Sequence, residues 1–182
     1  LEAVNYADYA FGVFIDELKK AGLYDDTAIL VFGDHNGLSM YDEQMLDFLA
    51  QTDSDLTDVD IKLSYTKVAC GMKIPGVKNV TIEKPVTKLD IKPTFSYLCN
   101  IEDGFSLGTN MFESKDFVSL NNERIISSRY YYDEIWYEIS TGQAVDFETL
   151  DEDTKELLDR YERQMRTELE LSNSISINNL LK

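Results

Sequence analysis

Residues 27–32 read Thr27-Ala28-Ile29-Leu30-Val31-Phe32, a continuous apolar run rich in β-branched side chains. Such a run predicts a strand covered on both faces, the kind found in parallel sheets. Ahead of it, Val4, Ala7, Phe11, Phe14, Ile15 and Leu18 recur at spacings of three and four, which marks one face of an amphipathic helix over Leu1 to Lys20. Gly22 stands where that helix should stop. A helix feeding a covered strand places the chain in the α/β class.

With 182 residues, 43% of them hydrophobic, the chain can build one domain with a real core. Acidic residues outnumber basic ones by 34 to 17, and the resulting formal charge of −17 repels polyanions, which excludes a nucleic-acid partner. Cys70 and Cys99 are too few and too far apart for a metal knuckle or a disulfide framework. Each sits among apolar residues and is expected as a buried reduced thiol, a single disulfide being the alternative. No stretch approaches the roughly 20 apolar residues of a membrane span, and no signal peptide opens the chain, so as written it is expected to be soluble. Its helical opening, without an initiator Met, reads as a start inside a longer protein.

After a polar, acidic stretch from Ser39 to Lys62, with a short helix expected around Glu43 to Leu49, a second apolar run spans Lys67 to Ile74 and ends at Pro75-Gly76. Val80-Thr81-Ile82 reads as a brief extended piece. Asp90 ahead of Ile91 and Pro93 is a helix-start signal. Asn100 to Gly108 reads as loop. Between Phe117 and Ile139 the β-branched and aromatic content, with Tyr130-Tyr131-Tyr132 and Trp136-Tyr137, predicts an antiparallel ribbon of two or three strands ending at Thr141-Gly142. Cross-strand and core packing account for these aromatics better than a ligand platform does. From Asp151 to Leu171 a stripe of Leu157, Leu158, Tyr161, Met165 and Leu169 predicts a terminal amphipathic helix packed on its own domain, with Asp153 and Glu156 offering cap chemistry. The tail Ser172 to Lys182 is expected to fray. The domain reading is thus 1–115 for the α/β portion, 116–145 for the ribbon of the same domain and 146–182 for the helix and tail.

Chemistry concentrates in Gly33-Asp34-His35-Asn36-Gly37, directly after the first strand, where open α/β sheets place their ligands. Glycines on either side let the backbone turn so that Asp34 and His35 converge. A carboxylate with an imidazole suits Mn²⁺ or Zn²⁺ better than Mg²⁺. Read from spacing alone, the pair is better explained as a loop Asp cap and a histidine bonded to a backbone carbonyl, because a site needs at least one more ligand and none has recognisable spacing here.

The order of several motifs resembles lipoteichoic acid synthases and related phosphoglycerol transferases of the alkaline phosphatase and sulfatase superfamily. These are Asn5-Tyr6-Ala7-Asp8, Gly22-Leu23-Tyr24-Asp25-Asp26-Thr27, Gly33-Asp34-His35, Ile74-Pro75-Gly76-Val77, Leu89-Asp90-Ile91-Lys92-Pro93-Thr94 and Leu107-Gly108-Thr109-Asn110-Met111-Phe112. The resemblance spans Leu1 to about Glu138. It implies the C-terminal part of a sulfatase-like fold, a mostly parallel sheet with flanking helices to which a small antiparallel ribbon and a C-terminal helix are added. It implies Asp34 and His35 as two metal ligands, with Mn²⁺, or Zn²⁺ or Mg²⁺, as the cofactor of the whole enzyme and weak or absent metal in this piece. The family's threonine nucleophile and glutamate ligand lie in the N-terminal half of the catalytic domain, so no catalytic nucleophile is expected in this chain and its substrate-binding residues stay unknown. That N-terminal half is the implied partner, and a phospholipid-derived donor, phosphatidylglycerol, is the implied substrate at the extracellular face of a bacterial membrane. Met40-Tyr41-Asp42 departs from the Glu-Asn-His stretch common after the metal pair, and Asn5 stands where some members carry His. Two other readings are a sulfatase, which would favour Asp-Asn and oxygen ligands where this chain has Asp34-His35, and a non-catalytic cell-envelope module.

Overall fold

The structure, a computed structural model, describes residues 2–36, 44, 47–48, 51, 56–113, 116–120 and 122–180. Most of the helix expected over Glu43 to Leu49, and Met40-Tyr41-Asp42, lie outside them.

Helix α1 spans Glu2–Lys20 and ends where Gly22 takes a left-handed φ of 68°, letting the amide of Leu23 donate back to Leu18 O at 3.0 Å. The expected apolar stripe is present, but α1 has no buried residue. Strand β1, Ile29–Phe32, follows. It is shorter than expected and not covered on both faces: Val31 and Phe32 are exposed. Its partner is β2, Cys70–Lys73, in antiparallel register with Phe32 opposite Cys70 and Ile29 opposite Lys73. Lys73 Nζ donates to Thr27 O at 3.1 Å and sits 4.4 Å from the Tyr24 ring, tying the entry of β1 to its neighbour. Between the two strands, α2, Asp58–Thr66, opens with a reciprocal cap in which the Thr57 amide donates to Asp60 and the Asp60 amide donates to Thr57 Oγ1.

Among the described residues every strand pair is antiparallel, so the parallel sheet implied above is not seen in them. Cys70 is exposed and Cys99 half-buried, and both are free, which corrects the expectation of buried thiols. Val80-Thr81-Ile82 is irregular, and Asn100 to Gly108 is loop as expected.

Asp90 begins α3, Ile91–Cys99, but does not bond the helix through its side chain. It is 2% exposed, and its carboxylate accepts from the Thr87 amide at 2.8 Å and the Thr109 amide at 2.8 Å. Thr94 Oγ1 donates to Asp90 O at 2.6 Å and accepts from the Met111 amide at 2.8 Å. These bonds clamp 87–94 to 109–111. A side chain at Gly108 would place its Cβ 2.1 Å from Leu89 O, so the clamp closes only on glycine.

The ribbon is a five-stranded antiparallel meander: β3 Phe117–Leu120, β4 Arg124–Ser127, β5 Tyr130–Asp133, β6 Ile135–Glu138 and β7 Gln143–Ala144. Helix α4 runs from Glu152 to Asn178, well into the segment expected to fray, and its cap is Asp151, which accepts from the Thr154 amide at 2.8 Å, rather than Asp153 or Glu156. One face of the sheet gives Phe117, Ile125, Tyr130 and Trp136 to a core closed by Leu158, Tyr161 and Met165 of α4. Phe117 and Tyr161 rings lie 4.3 Å apart between centroids, and Trp136 Nε1 donates to Glu162 at 2.8 Å. The aromatics are therefore core, and α4 packs within the chain, both as expected. At the end of the central strand β5, Asp133 accepts from Arg124 Nε at 2.9 Å and from Lys62 Nζ at 3.0 Å, which pins α2 to the sheet. Burial pushes the Asp133 carboxyl up, but Arg124 and Lys62 hold it below its ordinary value.

Candidate metal centre

Strand β1 delivers the loop that carries the only histidine. Its ladder continues one residue further, with the Gly33 amide donating to Ala69 O at 2.9 Å, and then the backbone bends at Asp34 and His35. The His35 amide donates to Asp34 Oδ1 at 3.0 Å, which draws the carboxylate toward the next residue. The ring's Nδ1 lies 2.8 Å from Asn36 O. A carbonyl only accepts, so the proton belongs on Nδ1 and the lone pair on Nε2, the tautomer a metal ligand needs.

Nε2 lies 3.7 Å from Asp34 Oδ1, with the two side chains 76% and 89% exposed. Neither is in a core and they do not point apart. Two ligands each about 2.1 Å from one ion can stand up to roughly 4.2 Å from each other, so this spacing fits a shared cation. The donor set, one carboxylate oxygen and one imidazole nitrogen, fits Mn²⁺ or Zn²⁺. Among the described residues no group of three His, Cys, Asp or Glu side chains is placed to hold an ion.

Lys88 Nζ donates to the carbonyl of Asp34. Lys88 stands in the turn just before Asp90, so the clamp around that buried carboxylate also anchors the loop of the pair. The sequence marks Asp90 as a helix start within the motif Leu89 to Thr94 and gives Lys88 no role. Thr87 and Asp90, three residues apart, carried the signal of a cap; the contact from Lys88 spans 54 residues and has no local signature.

The family model described as Sulfatase matches residues 1–100, from α1 through α3. The chain is 30% identical over 187 residues to lipoteichoic acid synthase 1 of Bacillus subtilis (strain 168), covering 100% of this chain and 28% of that protein. Lipoteichoic acid synthase of Staphylococcus aureus (strain USA300) is 26% identical over 190 residues, covering 96% of this chain and 26% of its own length. The chain thus spans about a quarter of the length of these relatives. A crystal structure of the lipoteichoic acid synthase LtaP from Listeria monocytogenes superposes with a TM-score of 0.69 at 23% identity, over 94% of this chain and 45% of that one.

Proposed function

Because the chain belongs to the sulfatase family and has its alkaline-phosphatase-like α/β fold, we propose that it is part of a metal-dependent phosphoglycerol transferase resembling lipoteichoic acid synthase. The observation that carries this reading is the convergence of Asp34 Oδ1 and His35 Nε2 at 3.7 Å on an exposed loop at the end of β1. The imidazole favours a first-row metal and phosphoryl chemistry over the all-oxygen Ca²⁺ site expected of a sulfatase. The donor would be the phosphodiester of phosphatidylglycerol, met at the extracellular face of a bacterial membrane.

When bound, the metal supplies a lowered nucleophile pKa and charge compensation at the phosphoryl oxygens. This chain's residues do the positioning. Asn36 O holds the His35 ring in one tautomer, the His35 amide orients the Asp34 carboxylate, and Lys88 fixes the loop through the Asp34 carbonyl. The nucleophile and further ligands would come from the N-terminal half of the catalytic domain. The open apolar cleft between α1 and β1, lined by Phe11, Phe14 and residues 27–32, supports that reading as a surface for it to cover. Alone, the chain should turn over no phosphodiester.

Calorimetry with Mn²⁺ and Zn²⁺ tests this. Two ligands should give binding no tighter than roughly millimolar, about 4 kcal/mol, and Asp34→Ala and His35→Ala should each abolish it. Heats unchanged in both variants would sink the assignment. Micromolar binding lost in Asp34→Ala would show that other carboxylates of this chain complete the site.

A further inference from the structure

Positive charge is unevenly placed in this acidic chain. From Lys62 to Lys92 there are seven lysines and two acids, Glu83 and Asp90, a formal +5; against the total of −17, the rest of the chain carries −22. Lys62 and Lys92 meet carboxylates, Asp133 at 3.0 Å and Asp103 at 3.1 Å. Lys84 and Lys88 direct their ammonium groups at the carbonyls of Glu113 and Asp34. A carbonyl dipole satisfies the N–H groups but leaves the unit charge uncancelled. Asp90, one of the two acids, is buried inside its clamp.

The same segment carries apolar surface. Between the end of β2 at Lys73 and the turn at Lys88 there is no helix or strand, and every residue from Pro75 to Thr81 is exposed. Val77, Val80, Val86 and Leu89 all belong to the exposed large hydrophobic residues, Val80 at 64%. Lys78, Lys84 and Lys88 are interleaved with them. Cations alternating with uncovered apolar side chains are what partitions into an anionic lipid interface: the ammonium groups meet headgroup charge and the apolar groups enter the acyl boundary. At its far end the segment is fastened by Lys88 to the Asp34 carbonyl, beside the candidate metal pair.

We infer that residues 74–90 form a docking loop for an anionic phospholipid surface. The loop itself carries Lys78, Lys84 and Lys88 against Glu83 and the buried Asp90, a formal +1, and the −18 on the rest of the chain is repelled by such a surface, so charge favours turning this loop toward it. A soluble polyanion would meet the same lysines, but it gives the exposed valines nothing to enter, which favours the bilayer. The inference rests on the transferase reading only in its choice of phosphatidylglycerol as the lipid.

Cosedimentation of the chain with phosphatidylcholine vesicles containing about 30% phosphatidylglycerol tests it. Binding should exceed that to pure phosphatidylcholine and fall steeply as salt rises from about 0.05 to about 0.5 M. At roughly fivefold per lysine near the surface, the Lys78→Gln/Lys84→Gln double variant should bind about 25-fold more weakly. The Val77→Ser/Val80→Ser variant should lose about tenfold while keeping the salt dependence. Equal binding to neutral vesicles, indifference to the lysine substitutions, or capture of soluble polyphosphate without capture of vesicles overturns the docking loop. Asp34→Ala should leave vesicle binding intact while removing the metal response, so a failure of the metal assignment is seen separately from a failure of docking.

Discussion

The two ends of the molecule are built on different terms. Around the ribbon, Phe117, Ile125, Tyr130 and Trp136 from the sheet and Leu158, Tyr161 and Met165 from α4 enclose one another. At the other end α1 has the apolar spacing of a core helix but buries nothing, and Phe11 and Phe14 look across an open cleft at β1. The difference teaches where the fold is self-sufficient. The ribbon and α4 complete their own core, whereas α1 and β1, which lead to the candidate metal pair, leave apolar side chains uncovered along an open cleft. The candidate site therefore lies on the less self-supporting side of the chain.

The largest expected effect breaks or upholds this contrast directly. Trp136→Ala or Leu158→Ala, at 3% and 0% exposure, should cost about 3–5 kcal/mol in urea unfolding. Phe14→Ala, at 48% exposure, should change stability by less than about 0.5 kcal/mol in the same chain. If Phe14→Ala costs as much as Trp136→Ala, the α1 face is covered and the contrast fails. If the N-terminal half proposed above covers this face, adding it should make Phe14→Ala costly.

Next in size is the clamp of 87–94 on 109–111. Asp90→Ala leaves the Thr87 and Thr109 amides without their acceptor and should cost about 2–3 kcal/mol, with Asp90→Asn keeping part of it. Equal stability of Asp90→Ala and wild type would mean that water satisfies both amides.

A smaller, pH-dependent effect belongs to Asp133. Arg124 and Lys62 lower its pKa in the folded chain. A carboxylate with a depressed folded pKa binds fewer protons folded than unfolded, so its contribution is present above the unfolded value of about 4 and lost as pH falls through the folded one. Unfolding midpoints between about pH 5 and pH 2 should fall less steeply in Asp133→Asn than in wild type. Parallel slopes in the two proteins would remove Asp133 as a source of acid sensitivity.

The smallest effect is local. Lys88→Met should leave global stability within about 0.5 kcal/mol yet speed amide exchange at His35 and Asn36 by about three- to tenfold, with Lys88→Arg restoring protection. Unchanged exchange at those amides would show that Lys88 does not hold the loop.

Much of this was legible in the residues. Helix α1 and its stop at Gly22, the loop at the end of β1, and the stripe on α4 all follow from spacings of a few residues. The convergence of Asp34 and His35 was readable because a glycine lets the backbone leave the strand, in which neighbouring side chains would face apart. The ribbon's strand number was not. Its turns pass through Glu123 and Glu134 at φ of 60° and 65°, where sequence rules look for Gly or Asn. The extent of α4 was likewise hidden, because Ser and Asn in its last turns lower helix propensity while the preceding turns carry the helix on.

The sequence by itself determined the periodic elements and set Asp34 beside His35 at the end of β1, because each depends on groups within about four residues of one another. Only the tertiary structure decided that β1 lies antiparallel to β2, that Asp90 bonds Thr109 instead of capping α3, that Lys88 reaches Asp34, and which apolar stripe is covered. Those outcomes join groups tens of residues apart, and the apolar pattern of α1 and α4 is alike in kind. A stripe of hydrophobic residues records that a helix has a face to bury, and the rest of the fold decides what it meets.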